Sequence, residues 1–583
     1  MCTTQFVKAT EGDSEEGGIH HEVCHVILLA QAAESGEISL RLNLSTVDIL
    51  ILLIYFVWVI GIGFALKRAV TSSMDFFLSG RSLPAWITGL AFISANLGAI
   101  EILGQSASGA QYGLSVVHYY WIGALPAMVF LGIVMMPFYY GSKVRSVPEY
   151  LRLRYNSRAH LINATTFVLA SLLIAGVNLF ALATVIEALL GIPLPIAVVL
   201  SAGFVLSYIL LGGLSSAIYN EVMQFFVICA GLIPLVYVAL QSLGGWGAFI
   251  ERVREEQPPS YLSAWEGTGF GGNSPLGDWF GIVMGLGFCL SFGYWTTNFA
   301  EVQRAMSAKD DNAARMTPII GAFPKFFIPL LVVVPGMAAT VILPGIGEEG
   351  GDLQYNDAIP ALMAQFLPEG VLGIAVTGLV AAFMAGMAAN VSSFNAVFTY
   401  DIWQDYIRPG RPDRYYLVVG RWVTVIGVGI GILTAFIASG FSNISNYLQV
   451  LFSFFNVPLF CAFIIGMFWK RASVNSGFWG ILVGTATAVI VYAGYKWGYF
   501  TFRSDIHESF WGSIFAFAAG AIAMYVASMR GERPSDDKLR GLVYGMEIRD
   551  MEEGKQPFYR NPVIMGVAVL VLSLLGYLYV ASL

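Results

Sequence analysis

The apolar stretch at residues 89–105 contains an ionisable side chain, Glu101, together with Asn96 and Gly98. Burying a carboxylate in the hydrocarbon of a bilayer is costly, so we expect Glu101 to face protein or a water-filled cavity. The Asn-Leu-Gly-Ala step at residues 96–99 predicts an interrupted helix with free backbone carbonyls in the middle of the membrane. Interrupted helices form solute and ion sites in secondary transporters, whereas small residues alone indicate only close helix packing.

A second charged residue, Lys325, interrupts the apolar segment at residues 322–327. An ammonium group in the middle of a membrane requires a carboxylate or several hydrogen-bond acceptors. A lysine near a helix end can instead extend to the membrane surface, but Lys325 lies within its apolar span. We therefore expect Lys325 to find such partners within the membrane.

The amino-acid composition of the whole chain is that of an integral membrane protein. The 583-residue chain is 57% hydrophobic and 12% charged, whereas about a quarter of the residues in soluble proteins are charged. Its net charge of −7 argues against a nucleic-acid partner. The cysteines and histidines show no spacing typical of a disulfide framework or a metal site, and no cofactor is expected. No nucleotide-binding loop or catalytic triad is found, which argues against an enzyme or an ATP-driven pump.

Apolar runs of about 20 residues predict membrane-spanning helices. The sequence contains fourteen of them, at residues 46–67, 83–106, 116–140, 160–190, 193–213, 217–243, 278–300, 316–343, 370–400, 416–440, 446–469, 476–498, 508–529 and 561–582. Residues 1–45 are predicted to be a tail, and their short apolar run lacks the basic start of a signal peptide. Residues 531–560 are predicted to form a charged cytoplasmic loop before the last helix in 561–583.

The basic residues predict the orientation in the membrane. With the N-terminus outside, 24 of the 31 lysines and arginines lie in inner loops, 6 lie in outer segments, and Lys325 lies within a span. This bias follows the positive-inside rule. It predicts a multi-pass protein of the cell membrane with both termini extracytoplasmic.

Six short motifs resemble the sodium/solute symporter family, and especially its sodium/glucose (sodium/galactose) cotransporter branch. In chain order the motifs are Asp75–Pro84, Val147–Leu151, Gly212–Ser216, Val302–Arg304, Phe398–Ile402 and Phe468–Arg471. The resemblance implies an all-α protein with about fourteen transmembrane helices, some of them discontinuous, and a transporter core at residues 46–530. It also implies a five-plus-five inverted repeat, at about 83–243 and 278–469, that works by alternating access.

The resemblance also implies solute-contacting positions, which are Asn96, Glu101, Tyr120, Ser291, Tyr294, Trp295, Lys325 and Gln449. Lys325 and Gln449 match sugar-binding residues, and Tyr294 matches the inner gate. Tyr120 stands where sugar carriers have a glutamate, Ser291 replaces an asparagine, and Glu101 replaces a neutral polar residue. We therefore expect either a sugar with an altered hydroxyl preference or a different polar solute.

The family's shared sodium site implies five ion-binding positions, which are Ser94, Leu97, Ala382, Ala385 and Gly386. The family has hydroxyl side chains at the last two positions, but Ala385 and Gly386 have no side-chain oxygen. Because a hard cation requires oxygen ligands, we expect weak sodium binding. The Ser94 hydroxyl could replace one ligand, and Glu101 could instead bind a proton. Glu221 matches an acidic position on the family's ion-exit route.

The sequence thus predicts a secondary active transporter that imports a small polar solute, with a sugar as the first expectation and sodium coupling implied by the family. One alternative is a proton-coupled symporter or uniporter of the same fold for a sugar or an organic acid. Another is a transporter-like sensor that signals through the 531–560 loop. The expected partners are the solute, sodium or a proton, and the lipid bilayer. We further expect breaks near Asn96–Gly98 and Ser291–Gly293 beside one central cavity, in which Lys325 and Glu101 pair while no solute is bound.

Overall fold

The computed structural model describes residues 44–66, 72–348, 353–438, 443–546 and 557–583. Within these ranges the chain is helical, and its only strand-like pairing is an isolated bridge between Leu83 and Ala308. The predicted N-terminal tail lies almost wholly outside the described residues, as do residues 547–556 of the 531–560 loop.

Each of the fourteen predicted apolar stretches is helical in the described part of the chain, and we number these helices α1 to α14. They are α1 (Thr46–Leu66), α2a (Ala85–Asn96), α2b (Ile100–Val117), α3 (Tyr119–Gly141), α4 (Ser157–Leu190), α5 (Leu194–Leu210), α6 (Gly213–Ser242), α7a (281–297), α7b (Phe299–Met306), α8 (Asp311–Ile342), α9 (Val371–Ile407), α10 (Asp413–Ala438), α11 (Ile444–Phe468), α12 (Ser476–Lys496), α13 (Asp505–Arg530) and α14 (Pro562–Val580).

Fewer helices than predicted meet the length of a full membrane span. Among the described residues, 11 helices are long and apolar enough, and the bent pair α2a–α2b makes 12. The other two predicted spans, α5 and α7a, are helical but shorter. The apolar run of α5 was predicted to continue to Gly213, where a positive φ of 55° breaks the helix. A Cβ at Gly213 would also meet the ring and backbone of Phe76, so a glycine is required there.

The interruption of α2 lies where the sequence predicts it. Helix α2a ends at Asn96, and α2b continues at an angle of 58°. The Asn178 side chain of α4 accepts a hydrogen bond from the Ala99 N–H at 2.9 Å, which satisfies a backbone donor freed by the break. Gly98 is required because a Cβ there would collide with the Asn178 amide oxygen and lie 3.2 Å from the Cα of Gly386.

The predicted break of α7 near Ser291–Gly293 is wrong. The π-helical segment Gly281–Ser291 continues directly into Phe292–Thr297, and the chain leaves the helix only at Asn298, where ψ is 110°. The Asn298 side chain then caps α7b by accepting a hydrogen bond from the Ala300 N–H at 3.1 Å. Gly293 instead allows close packing, because a Cβ there would lie 3.2 Å from the backbone of Asn456 on α11.

The interrupted helices lie at the centre of the helix bundle. Helix α8 packs against both halves of α2, and α11 packs against α7a and the start of α2b. Helix α9 packs against α4 and α6 and also against α2a. The two helix breaks therefore lie between the helices that carry Lys325, Gln449 and the predicted ion-binding positions.

Candidate functional site: a cavity between the interrupted helices

The eight predicted solute-contacting residues surround one central cavity. Asn96 lies on α2a, Glu101 on α2b and Tyr120 on α3. Helix α7a contributes Ser291, Tyr294 and Trp295. Lys325 on α8 and Gln449 on α11 complete the set. Six of the eight are buried, and the other two, Asn96 and Tyr294, are only partly exposed. The structure therefore brings these residues together, while their contact with a solute stays a prediction.

The Lys325 ammonium group is the centre of the polar contacts in this cavity. Its Nζ lies 2.7 Å from Glu101 Oε1 and donates a hydrogen bond to Asn96 Oδ1 at 2.6 Å. The side chains of Lys325 and Glu101 are only 3% and 7% exposed. In such a buried site the attraction between opposite charges is much stronger than at a protein surface. The break in α2 is what allows Asn96 and Glu101, on its two halves, to approach the same lysine.

Aromatic rings form much of the apolar wall of the cavity. The Lys325 Nζ lies 4.9 Å from the ring centroid of Tyr120 and 5.4 Å from that of Trp295, within the range of cation–π attraction. The Tyr294 ring lies 4.7 Å from that of Phe452 on α11. Rings in this arrangement can cover the apolar face of a solute whose hydroxyl groups bind the polar side chains.

The lining residues that were not singled out from the sequence include Gln105, Tyr119 and Phe452. The Gln105 Oε1 and the Tyr119 hydroxyl are buried without a hydrogen-bond partner in the described part of the chain. Such atoms are costly to bury unless a ligand or water satisfies them. The signal for Gln105 was its spacing of four residues from Glu101, which places both on one side of a helix.

Three of the predicted sodium-binding positions lie at the break of α2: Ser94 and Leu97 lie at the end of α2a, and Gly386 packs against Gly98. Ala382, Ala385 and Gly386 are buried on α9, which packs against α2a, and a Cβ at Gly386 would lie 3.0 Å from the Cα of Gly98. The amide oxygen of Asn178 fills the space that a side chain at Gly386 would occupy. The Ser94 hydroxyl is buried without a hydrogen-bond partner among the described residues. It is therefore an available oxygen ligand, but it does not replace two lost hydroxyl groups.

Sodium should therefore have a weak effect on transport at constant pH. We expect initial uptake to fall only slightly when choline replaces sodium, because two of the five predicted ion-binding positions, Ala385 and Gly386, lack the hydroxyl group that the resemblance implies there. Uptake in proteoliposomes, measured in both salts at two pH values, tests this expectation. A steep sodium dependence at constant pH would contradict it.

A single substitution can restore part of the sodium site. Ala385 already has a Cβ, so Ala385→Ser adds only a hydroxyl group, and it should increase the fraction of uptake that is lost when choline replaces sodium. Ala396→Ser is the matched control, because it adds the same group to a buried position on the same helix, about 16 Å away by helix rise. An equal effect of both substitutions would show that the added hydroxyl does not act at the predicted site.

Glu221, the predicted ion-exit residue, forms a buried ion pair. Its two carboxylate oxygens accept hydrogen bonds from Nη2 and Nε of Arg304 on α7b, the latter at 3.1 Å, and both side chains are fully buried. Arg304 Nη1 also donates to the Ala300 carbonyl at 2.7 Å. In this conformation the Glu221 carboxylate is therefore neutralised by arginine, and its role in ion exit stays a prediction.

The structure also groups a histidine with two aspartates, which the sequence analysis did not anticipate. Ligand atoms of His160, Asp401 and Asp405 lie within 4.8 Å of one another. Each of these groups already has a protein partner, since His160 contacts Asp401 at 2.8 Å and Tyr406 at 2.9 Å, and Asp405 pairs with Arg152. We interpret this cluster as a hydrogen-bonded connection between α4 and α9.

The helix breaks, the buried cavity and the membrane-spanning helices together define a secondary transporter. A family model agrees: the sodium:solute symporter family matches residues 76–484, and the chain belongs to that family. The protein is accordingly a multi-pass membrane transporter and not an enzyme, and sodium is the coupling ion of its family.

Curated relatives cover most of the chain. A sodium/glucose cotransporter from Vibrio parahaemolyticus is 29% identical over 469 residues, which cover 77% of this chain and 86% of that protein. A sodium/myo-inositol cotransporter 2 from Oryctolagus cuniculus is 27% identical over 75% of this chain and 68% of its own length.

Two solved structures support the fold. A Na+-coupled sialic acid symporter in a substrate-bound outward-open state matches with a TM-score of 0.70 at 18% identity, covering 84% of this chain and 99% of that chain. A nucleobase-cation-symport-1 family transporter in a closed conformation matches with a TM-score of 0.52 at 16% identity, covering 80% and 97%. The predicted transporter fold with inverted repeats and discontinuous helices is confirmed.

Proposed function

We propose that the protein imports a neutral polyhydroxylated solute, a sugar or a related polyol, through the central cavity. The observation that carries this proposal is the contact of Lys325 with both Glu101 and Asn96 inside a cavity that Gln449 also lines. We further propose that the protein lies in the cell membrane with both termini extracytoplasmic, as the distribution of basic residues predicts.

The charge balance of the cavity favours a neutral solute. Lys325 and Glu101 cancel each other, so the site offers no unpaired charge to an organic acid. Hydroxyl groups both donate and accept hydrogen bonds, and they can therefore contact the ammonium and the carboxylate at the same time. An anionic solute would instead have to displace Glu101 from Lys325 and leave a carboxylate buried without a cation.

The remaining wall of the cavity suits the same class of solute. Tyr120 and Trp295 can cover the apolar face of a pyranose or a cyclic polyol. The unpartnered oxygens of Gln105 and Tyr119 can bind hydroxyl groups at the rim of such a ring. The curated relatives named as glucose and myo-inositol cotransporters support this choice of solute class.

Uptake into proteoliposomes tests the proposal. The purified chain should accumulate at least one labelled neutral sugar or polyol from a panel of hexoses and inositols. Sugar acids of the same ring size should compete poorly. Uptake of sugar acids in preference to every neutral solute would overturn the proposal. A protein that binds sugars but moves none of them would favour the sensor alternative.

Replacing Glu101 with glutamine should change the charge preference of the site. Glu101→Gln keeps the side-chain shape and removes the carboxylate partner of Lys325, so an anionic solute can then supply that partner. Since a hydrogen bond to a charged group contributes about 1.5–3 kcal/mol, inhibition of uptake by a sugar acid should strengthen by about tenfold or more. Competition assays against a labelled neutral sugar measure this change.

Glu508→Gln provides the control for this substitution. Glu508 is also a buried carboxyl, but it lies in the first turn of α13 and does not line the cavity. Its substitution should leave inhibition by sugar acids unchanged. If Glu101→Gln also leaves that inhibition unchanged, Glu101 does not determine charge selectivity.

A further inference from the structure

Glu301 on α7b is a buried carboxyl that has no part in the solute site described above. It is 2% exposed, and its Oε1 accepts a hydrogen bond from the Tyr294 hydroxyl at 2.9 Å. Its Oε2 is buried without a hydrogen-bond partner in the described part of the chain. A fully ionised carboxylate in this position would be poorly satisfied.

A continuous path of hydrogen bonds connects Glu301 to the solute cavity. The Tyr294 hydroxyl donates to Glu301 and accepts a hydrogen bond from Asn96 Nδ2 at 3.1 Å. Asn96 Oδ1 in turn accepts a hydrogen bond from Lys325 at 2.6 Å, and Lys325 contacts Glu101. Tyr294 itself lines the cavity, so its hydroxyl group is the link between the solute site and Glu301.

The charged groups around Glu301 do not balance if all of them are ionised. Three charged groups interact electrostatically with Glu301: Arg304 on the same helix, Glu221 on α6 and Lys325 on α8. Arg304 forms a two-point ion pair with Glu221, and Lys325 is paired with Glu101. Two cations therefore face three carboxyls, and ionised Glu301 would leave one negative charge buried without a cation.

The titratable groups on the other helices packed against α7b have partners elsewhere. The short helix Ser73–Leu78 carries Asp75, which accepts a hydrogen bond from the Ser72 N–H at 3.0 Å. On α8, Asp311 lies 4.0 Å from Arg315.

The tyrosines of α3 that face α7b also have partners. Tyr139 donates a hydrogen bond to the Thr296 carbonyl and Tyr140 to the Ala308 carbonyl, both at 3.0 Å. Helix α2a and residues 371–397 of α9 contain no titratable side chain. None of these groups therefore supplies the missing cation.

We propose that Glu301 is a proton-coupling site, separate from the predicted sodium-binding positions, which receives a proton from the cavity through the Tyr294 hydroxyl and releases it on the far side of Tyr294. This inference rests on the proposed transport of a solute through the same cavity. Tyr294 separates the cavity from Glu301, so its movement opens the path for both the solute and the proton. The α7b end of helix α7 is predicted to face the cytoplasm.

The step that protonates Glu301 from the cavity balances in protons and charge. Solute binding at Asn96 frees the Tyr294 oxygen from its hydrogen bond with that amide. A hydronium ion in the cavity then gives a proton to the Tyr294 oxygen, while the phenolic proton passes to Glu301 Oε1. Tyr294 is neutral before and after the step, hydronium becomes water, and Glu301 becomes a carboxylic acid. When Tyr294 moves aside, water on its far side accepts the proton from Glu301 and becomes hydronium.

Proton entry during transport tests this inference. Proteoliposomes containing the full chain and the pH indicator pyranine receive the best-transported neutral sugar, with sodium equal on both sides. The interior should acidify as the labelled sugar enters. Glu301→Gln should abolish the acidification and keep the exchange of labelled for unlabelled sugar, since glutamine can still accept the Tyr294 hydrogen bond. Glu508→Gln, which also changes a 2% exposed carboxyl, should acidify like the wild type.

Sugar entry without acidification in the wild-type protein would overturn the inference, whether or not the variants fold. Acidification that persists in Glu301→Gln would overturn it as well, because the proton would then use another group. Failure of the wild-type protein to transport any neutral sugar is a separate outcome. It would refute the proposed function, and the inference would fall with it.

Discussion

Replacing Lys325 with alanine should abolish uptake of the solute. The substitution removes the ammonium group that contacts both Glu101 and Asn96, and it leaves a buried carboxylate without its cation. Breaking a buried ion pair in this way costs about 3–5 kcal/mol, so the variant should also unfold at a lower temperature than the wild type. Uptake assays and thermal unfolding of the purified protein measure the two effects separately.

Two further variants separate solute binding from stability. Lys496→Ala removes a lysine paired with Asp505 at 2.9 Å, but that lysine side chain is 44% exposed and lies outside the cavity. It should leave both uptake and stability nearly unchanged, because exposed ion pairs contribute little. The double variant Lys325→Met/Glu101→Gln should recover stability without recovering uptake. Normal transport by Lys325→Ala would refute the binding role of this lysine.

Replacing Arg304 with alanine should cause a comparable loss of stability. The guanidinium makes a two-point contact with Glu221, and both side chains are fully buried. Removing it leaves Glu221 and Glu301 together without that cation, at a cost of about 3–5 kcal/mol in the free energy of unfolding. The measurement is the unfolding temperature of the protein in detergent, followed by size-exclusion chromatography of heated samples.

The ion pair of Arg152 and Asp405, whose arginine is largely exposed, supplies the control for Arg304. Arg152 is 45% exposed at its side chain, so Arg152→Ala should change the unfolding temperature only slightly. The double variant Arg304→Met/Glu221→Gln should be more stable than Arg304→Ala, because it removes the unpaired carboxylate together with the arginine. If Arg304→Ala unfolds at the wild-type temperature, the ion pair does not stabilise this conformation.

The sequence predicted the break of α2 because the local signal and the structural cause coincide. Asn96 and Gly98 are poor helix residues, and Gly98 is also the only residue that fits between Asn178 and Gly386. The same reasoning failed for α7. Gly293 permits close packing with α11, whereas the break occurs at Asn298, whose role as a helix cap depends on the following turn.

The predicted solute site depended on two kinds of signal. Lys325 and Glu101 were found because charged residues in apolar spans must have partners, and the structure pairs them. Gln449 was assigned only through the family resemblance, since a glutamine in a helix is not unusual by itself. Glu301 was missed because the predicted span ended at residue 300, which placed this carboxyl in a loop. Hydropathy cannot show that α7 turns at Asn298 and that Glu301 is buried in contact with Tyr294.

The most direct test of the solute site is a density map of the protein with its best-transported neutral sugar or polyol bound. Electron cryo-microscopy in lipid nanodiscs at a saturating concentration of that solute provides the map. The solute should lie between Lys325 and Gln449, with its hydroxyl groups inserted between Lys325 and Glu101 and their contact longer than the present 2.7 Å. Solute density outside this cavity, or inside it with the Lys325–Glu101 contact unchanged, would contradict the account.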